Sequence, residues 1–129
     1  MKTNNDSRFD IDLAFGQEAE QYIAKMFGGK IEVKTERDLW KKTGNIAIEY
    51  KSRGKPSGIS TTQAEQWVQV LSSKGKPLCY IGMETAILKK LARHYYDKGK
   101  TIRGGDDNTS ELVLIPLQEL FIVLSDVCE

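Results

Sequence analysis

The chain has 129 residues and a formal net charge of +1 at pH 7, with the composition of an ordinary globular protein. This length supports a single domain over residues 1–129 and is too short for two independent cores. The near-neutral charge excludes a globally basic surface, so nucleic-acid binding would need local basic clusters. No apolar run approaches the roughly 20 residues that span a bilayer, and the polar N-terminus lacks the apolar core of a signal peptide. We therefore expect an intracellular, cytoplasmic protein with no membrane partner.

The chain begins with a predicted helix. Apolar residues recur at helical spacing from Ala19 to Met26, which predicts an amphipathic helix over residues 11–27. Gly28 and Gly29 follow and end it.

The next segment predicts a β-hairpin. Residues 31–36 and 46–51 each alternate apolar with more polar side chains, as half-buried strands do. Pairing the two strands with their apolar faces aligned would bring the charged residues of the first beside Glu49 and Lys51.

The middle of the chain predicts a helix and then a strand. Ser60 or Thr61 would cap a helix that runs to about Ser73, with Trp67 on its apolar stripe. The nearly continuous apolar run over residues 77–83 predicts a central strand buried on both faces.

The last third predicts a helix over residues 84–98, a polar glycine-rich loop and a short strand over residues 112–115. Residues 117–124 are apolar, and periodicity leaves helix and strand open for them. The order of the elements favours a mixed sheet flanked by helices.

Several polar side chains are candidates for nucleic-acid contact. Clustered basic residues usually form a solvated face, and binding to phosphate is the alternative. Ser57 and Thr62 could donate hydrogen bonds to a phosphate. The basic candidates are Lys41 with Lys42, the run Lys51, Arg53 and Lys55, and a series from Lys89 to Arg103.

Acidic residues and lysines between residues 30 and 51 suit metal-dependent cleavage of a phosphodiester. That reaction needs carboxylate ligands for a hard cation and a group that orients water or offsets charge on the phosphate. In Glu49-Tyr50-Lys51, strand spacing predicts that the carboxylate and the ammonium share a face, about 7 Å apart.

Five segments together resemble the PD-(D/E)XK nuclease superfamily, in particular its small phage-type members. They are FGQEAE at 15–20, IEVKTE at 31–36, TGNIAIEYKSRGKPSGI at 43–59, TTQAEQW at 61–67 and GGD at 104–106. The resemblance implies an α/β fold with a restriction-endonuclease-like αβββαβ core, whose mixed central sheet is flanked by helices. It also implies an endonuclease that hydrolyses DNA with Mg²⁺, or with Mn²⁺ as a substitute, and leaves a 5′-phosphate and a 3′-hydroxyl.

The resemblance also implies site residues. Glu49 and Lys51 take the E-x-K positions, and the acid before them is Glu36 or Asp38. Lys34 is the alternative catalytic lysine. Glu20 is favoured over Glu18 as the acid of the first helix, and Gln63 lies where related nucleases place a polar residue near the phosphate or metal.

Cutting both strands of a duplex would need two active sites, which suggests a homodimer. Two alternative functions stay open. One is a catalytically silent DNA-binding or assembly protein that keeps the nuclease fold, and the other is a structure-specific or RNA-directed nuclease.

Overall fold

Four α-helices and seven strands make up the part of the chain that the computed structural model describes, Ser7–Cys128, with side chains from Gly16 onward. Residues 1–6 and Glu129 lie outside it, and so does most of the polar N-terminus considered above. The helices of the described part are α1 (Ser7–Phe27), α2 (Leu39–Thr43), α3 (Thr85–Asp97) and α4 (Leu117–Val127). Its strands are β1 (Ile31–Glu36), β2 (Asn45–Ser52), β3 (Lys55–Pro56), β4 (Gln66–Ser73), β5 (Lys76–Glu84), β6 (Thr101–Gly104) and β7 (Ser110–Pro116). The class is therefore α/β.

The strands of this region form two sheets. One has the order β1-β4-β5, with β1 parallel and β5 antiparallel to β4. The other has the order β3-β2-β7-β6 and is antiparallel throughout. The predicted hairpin of β1 with β2 is therefore wrong. The whole of β1 pairs with β4 instead. The helix α2 lies between β1 and β2, where a hairpin would have its turn.

The predicted helix up to Ser73 is also wrong, because residues 66–73 form the strand β4. As the middle strand of its sheet, β4 buries side chains on both faces, including Trp67, Val70 and Leu71. A strand buried on both sides is apolar at positions that also fit a helical stripe, so periodicity alone did not separate the two. The β-branched residues of β4 favour the strand.

The remaining predictions are correct in part, although the predicted glycine-rich loop before residue 112 contains the strand β6. A strand does cover residues 77–83, but it is an edge strand rather than a central one, and Leu78 and Tyr80 are exposed. The helix α3 and the strand β7 lie where they were predicted. The apolar segment after residue 116, for which periodicity allowed either a helix or a strand, is the helix α4.

The core joins the two sheets to the helices α3 and α4. Its fully buried members include Ile46 and Ile48 of β2, Leu91 and Tyr95 of α3, and Leu120 of α4. Each buried side chain of this size contributes about 2 kcal/mol by leaving water. No helix in the described range is long and apolar enough to cross a membrane.

The predicted helix at the start of the chain, residues 11–27, is confirmed as α1, and it ends before Gly28 and Gly29 as expected. Its predicted apolar face stays largely in solvent, since Tyr22 and Ile23 are about half exposed and Phe27 more so.

Candidate active site

A pocket of about 230 Å³ lies where the strand β1 faces the strands β2 and β7. Lys34 and Glu36 reach it from β1, and Ala47 and Glu49 reach it from β2. Leu112, opposite Glu49 in the β2–β7 register, also lines it. The pocket thus brings together two predicted site carboxylates from strands of different sheets.

The carboxylate of Glu36 is anchored inside this pocket. Its Oε2 atom accepts a hydrogen bond of 2.8 Å from the backbone N–H of Ala47 and one of 2.7 Å from Nε2 of Gln69. Burial raises the pKa of Glu36 above its usual value, and the two hydrogen bonds lower it in part. The Ala47 contact also fixes the end of β1 against β2.

Gln69 orients Glu36 and was not identified from the sequence. This buried side chain lies on β4, and its Oε1 atom accepts a hydrogen bond of 2.8 Å from Nε1–H of Trp67. A buried amide whose oxygen is held by an indole must direct its N–H donors elsewhere, here to Glu36. The only sequence signal for this contact would be a glutamine two residues after a tryptophan. The two side chains share a face only if β4 is recognised as a strand.

Glu49 enters the same pocket from the four-stranded sheet. Its Oε1 atom accepts a hydrogen bond of 2.7 Å from the hydroxyl of Ser110 on β7. Behind it, Gly58 adopts a left-handed conformation (φ 54°) against the Glu49 carbonyl, where an added Cβ would clash with that carbonyl. The glycine therefore lets the turn after β3 pack closely on β2.

Glu49 and Lys51 do not share a face, contrary to the strand spacing. The β2–β7 register shifts between them, so that two β2 residues oppose one β7 residue in a β-bulge. Glu49 lines the pocket with Glu36, whereas Lys51 lines a separate cavity beside Tyr50 and α3. Lys34, the alternative lysine, is the one in the pocket, where its Nζ atom lies 3.7 Å from Glu32 Oε2.

Three predicted catalytic residues lie apart from this pocket. Glu20 is exposed on α1, and it lines neither this pocket nor the cavity beside Lys51. Asp38 is exposed, accepts a hydrogen bond from the backbone N–H of Lys74 and lies 3.7 Å from Lys41. Gln63 is exposed on the connection to β4, because the helix expected to carry it does not form.

The predicted nucleic-acid residues are dispersed. Thr62 donates a hydrogen bond to Glu32, and the Ser57 hydroxyl is buried with no partner among the described residues. Lys41 donates one to Ser73. Among the predicted residues, Lys41 and Lys42 on α2 and Arg53 and Lys55 around the turn after β2 are exposed.

The pocket offers two carboxylates to a cation. Within the described residues no three acidic, histidine or cysteine side chains form a metal-binding group. The described hydrogen bonds use one oxygen each of Glu36 and Glu49, and no described basic residue forms an ion pair with either. Mg²⁺ commonly takes one or two carboxylates and completes its shell with water and substrate phosphate. The two glutamates fit that requirement.

No family model, curated protein or solved structure matches this chain. The function is therefore inferred from the chemistry of the pocket.

Proposed function

We propose that the protein is a PD-(D/E)XK-type DNA endonuclease that hydrolyses phosphodiester bonds with Mg²⁺ in the pocket between Glu36 and Glu49. The observation that carries this proposal is the meeting of these two carboxylates and Lys34 in one pocket, although they come from two sheets. Two carboxylates with no described basic partner favour a cation between them.

Each side chain has a defined role in this proposal. Glu36 and Glu49 would hold the metal, which would supply an activated water and neutralise charge on the phosphate. Lys34 places an ammonium at the pocket to balance the negative charge that builds up on phosphate oxygen. Gln69 and Ser110 fix the two carboxylates by their hydrogen bonds.

The reaction needs no covalent intermediate. The oxygen of water bonds to phosphorus and gives up a proton, the bond from phosphorus to the 3′ oxygen breaks, and that oxygen takes up a proton. The products are a 5′-phosphate and a 3′-hydroxyl. The partly buried position of Glu36 reduces the screening of these charges by bulk water.

Cleavage of supercoiled plasmid and of branched DNA with Mg²⁺ or Mn²⁺ tests the proposal. We expect Glu36→Gln and Glu49→Gln to lower the rate more than about 100-fold, since even changes to groups that hydrogen-bond metal ligands cost roughly 10- to 100-fold. Asp38→Asn removes the same charge outside the pocket and should leave cleavage unchanged. Equal rates for the native chain and Glu49→Gln would refute the proposal.

The same design separates the two lysines. Lys34→Met should abolish most cleavage. Lys51 lines the other cavity, so Lys51→Met should weaken DNA binding and leave the turnover of bound DNA unchanged. A full loss of turnover only in Lys51→Met would reverse the assignment.

One observation favours a second candidate function, a DNA-binding or assembly protein without turnover. Glu20 stays outside the pocket, so the described residues supply two rather than three carboxylates. Binding of DNA with no cleavage in either metal, unchanged by Glu49→Gln, would establish this second function. RNA substrates run in parallel distinguish a ribonuclease.

A further inference from the structure

A second and larger cavity lies beside Lys51, and none of its lining residues lines the Glu36–Glu49 pocket. Its volume is about 560 Å³, within the range of roughly 300–1,000 Å³ usual for small-molecule sites. The strand β2, the turn at Gly58–Ser60 and the helix α3 border it, and it opens widely to solvent. Buried Ile59, Ala92 and Val113 form an apolar floor.

Three basic side chains line this cavity: Lys51 from β2, and Lys89 and Arg93 from α3. Lys89 and Arg93 are four residues apart, so they project from one face of the helix. No described carboxylate lies within ion-pairing distance of any of the three. Glu111, which pairs with Lys51 in the β2–β7 register, accepts a hydrogen bond from the Tyr50 hydroxyl at 3.3 Å and does not line the cavity. Since the whole chain carries a net charge of only +1, this concentration of positive charge is local.

Two aromatic rings stand next to these cations. Tyr50 and Tyr96 meet edge to face with ring centroids 5.3 Å apart. The guanidinium carbon of Arg93 lies 5.7 Å from the centroid of the Tyr96 ring. Tyr96 is 44% exposed, so its ring is accessible to a ligand. Aromatic and guanidinium surfaces of this kind bind nucleobases by stacking, with little dependence on base identity.

We propose that this cavity binds one nucleotide unit. The base would lie against Tyr96 and the apolar floor, and the phosphate would lie among Lys51, Lys89 and Arg93. The unit could belong to a free nucleotide or to an unpaired DNA strand, because both present the same base and phosphate. This site is separate from the proposed hydrolytic pocket. One of its cations is Lys51, which the β-bulge directs away from Glu49.

Binding by the full chain in EDTA tests this site without cleavage. The probes are thymidine 5′-monophosphate, thymidine and inorganic phosphate by calorimetry, and a labelled single-stranded oligonucleotide and its duplex by fluorescence anisotropy. We expect the mononucleotide or the single strand to bind at least about fivefold more tightly than thymidine, phosphate or duplex, since one stacked base contributes roughly 1–3 kcal/mol. Binding of the mononucleotide identifies a free-nucleotide site, and binding of the oligonucleotide alone identifies a strand site.

Two matched pairs of variants localise the binding. Lys89→Met should weaken it about fivefold or more, whereas Lys90→Met removes the same charge from the adjacent position, which does not line the cavity, and should change it little. Tyr96→Ala should weaken binding and Tyr96→Phe should keep it, because only the ring is required. Glu49→Gln should bind as the native chain does, which keeps this result independent of the hydrolytic pocket.

Three results would overturn the nucleotide site. They are no binding of any nucleotide probe, equal effects of Lys89→Met and Lys90→Met, and phosphate binding as tightly as the mononucleotide. Thermal unfolding of each variant shows whether it is folded, and partly exposed Tyr96 gives a second variant should Lys89→Met fail to fold.

Discussion

Replacing Gln69 by leucine tests the hydrogen-bond chain that holds Glu36. Leucine has a similar size but removes the donor to Glu36 and the acceptor of the Trp67 N–H. A net hydrogen bond to a charged group is worth about 1.5–3 kcal/mol, and a buried donor left unpaired costs about 1–3 kcal/mol. Partial exposure of Glu36 and the apolar surface gained by leucine offset some of this. We expect Gln69→Leu to lower the free energy of unfolding by about 2–3 kcal/mol.

Urea denaturation followed by far-ultraviolet circular dichroism measures this loss. Gln118→Leu, the same change at an exposed site on α4, is the control and should stay within about 0.5 kcal/mol of the native chain. Combining Gln69→Leu with Trp67→Phe removes the unpaired N–H, so the double variant should lose at least about 1 kcal/mol less than the sum of the single losses. A loss below about 0.5 kcal/mol in Gln69→Leu, or simple additivity, would refute the proposed chain.

Three further predictions concern the same pocket. Burial raises the pKa of Glu36 in the folded chain above its ordinary value of 4.5. As the pH rises from 4.5 through this raised pKa, ionisation of Glu36 lowers the free energy of unfolding of the native chain. Glu36→Gln should therefore gain stability relative to the native chain across that window in a pH series of urea denaturations, and a difference independent of pH would contradict this. Ser110→Ala removes the hydrogen bond to Glu49 and should weaken Mn²⁺ binding about 10-fold or more by calorimetry; unchanged affinity would exclude that role. Gly58→Ala should cost more than about 2 kcal/mol in urea denaturation because its Cβ would clash with the Glu49 carbonyl, whereas Gly54→Ala, also left-handed but in open space, should cost only about 1–2 kcal/mol, and equal costs would remove the clash argument.

Local sequence patterns predicted some elements correctly. The helix α3 has an apolar stripe of Leu88, Leu91 and Tyr95, and all three are buried in the core. The turn at Gly28-Gly29 ends α1 as expected. These features depend on neighbours within a few residues, and the sequence presents such neighbours directly.

Partner strands were not predictable in the same way. The alternation in β1 correctly indicated a strand, but its partner is β4, whose pairing begins with Ile31 against Gln66. The sequence of β4 predicts a helix because burial on both faces hides the period of two. Such pairing is decided by contacts between segments far apart along the chain, and no local pattern contains them.

The candidate site also depends partly on residue type, which the sequence shows, and partly on long-range strand pairing, which it does not show. By itself the sequence supplied the residue types, carboxylates at Glu36 and Glu49 and the lysines Lys34 and Lys51, and these residue types suit the proposed binding of a cation and a phosphate. Only the tertiary structure placed Glu36 rather than Asp38 in the pocket, added Gln69, and separated Glu49 from Lys51 by a bulge. The physical reason is that residue type fixes charge and donor atoms, whereas which side chains meet depends on strand register and on a single inserted residue.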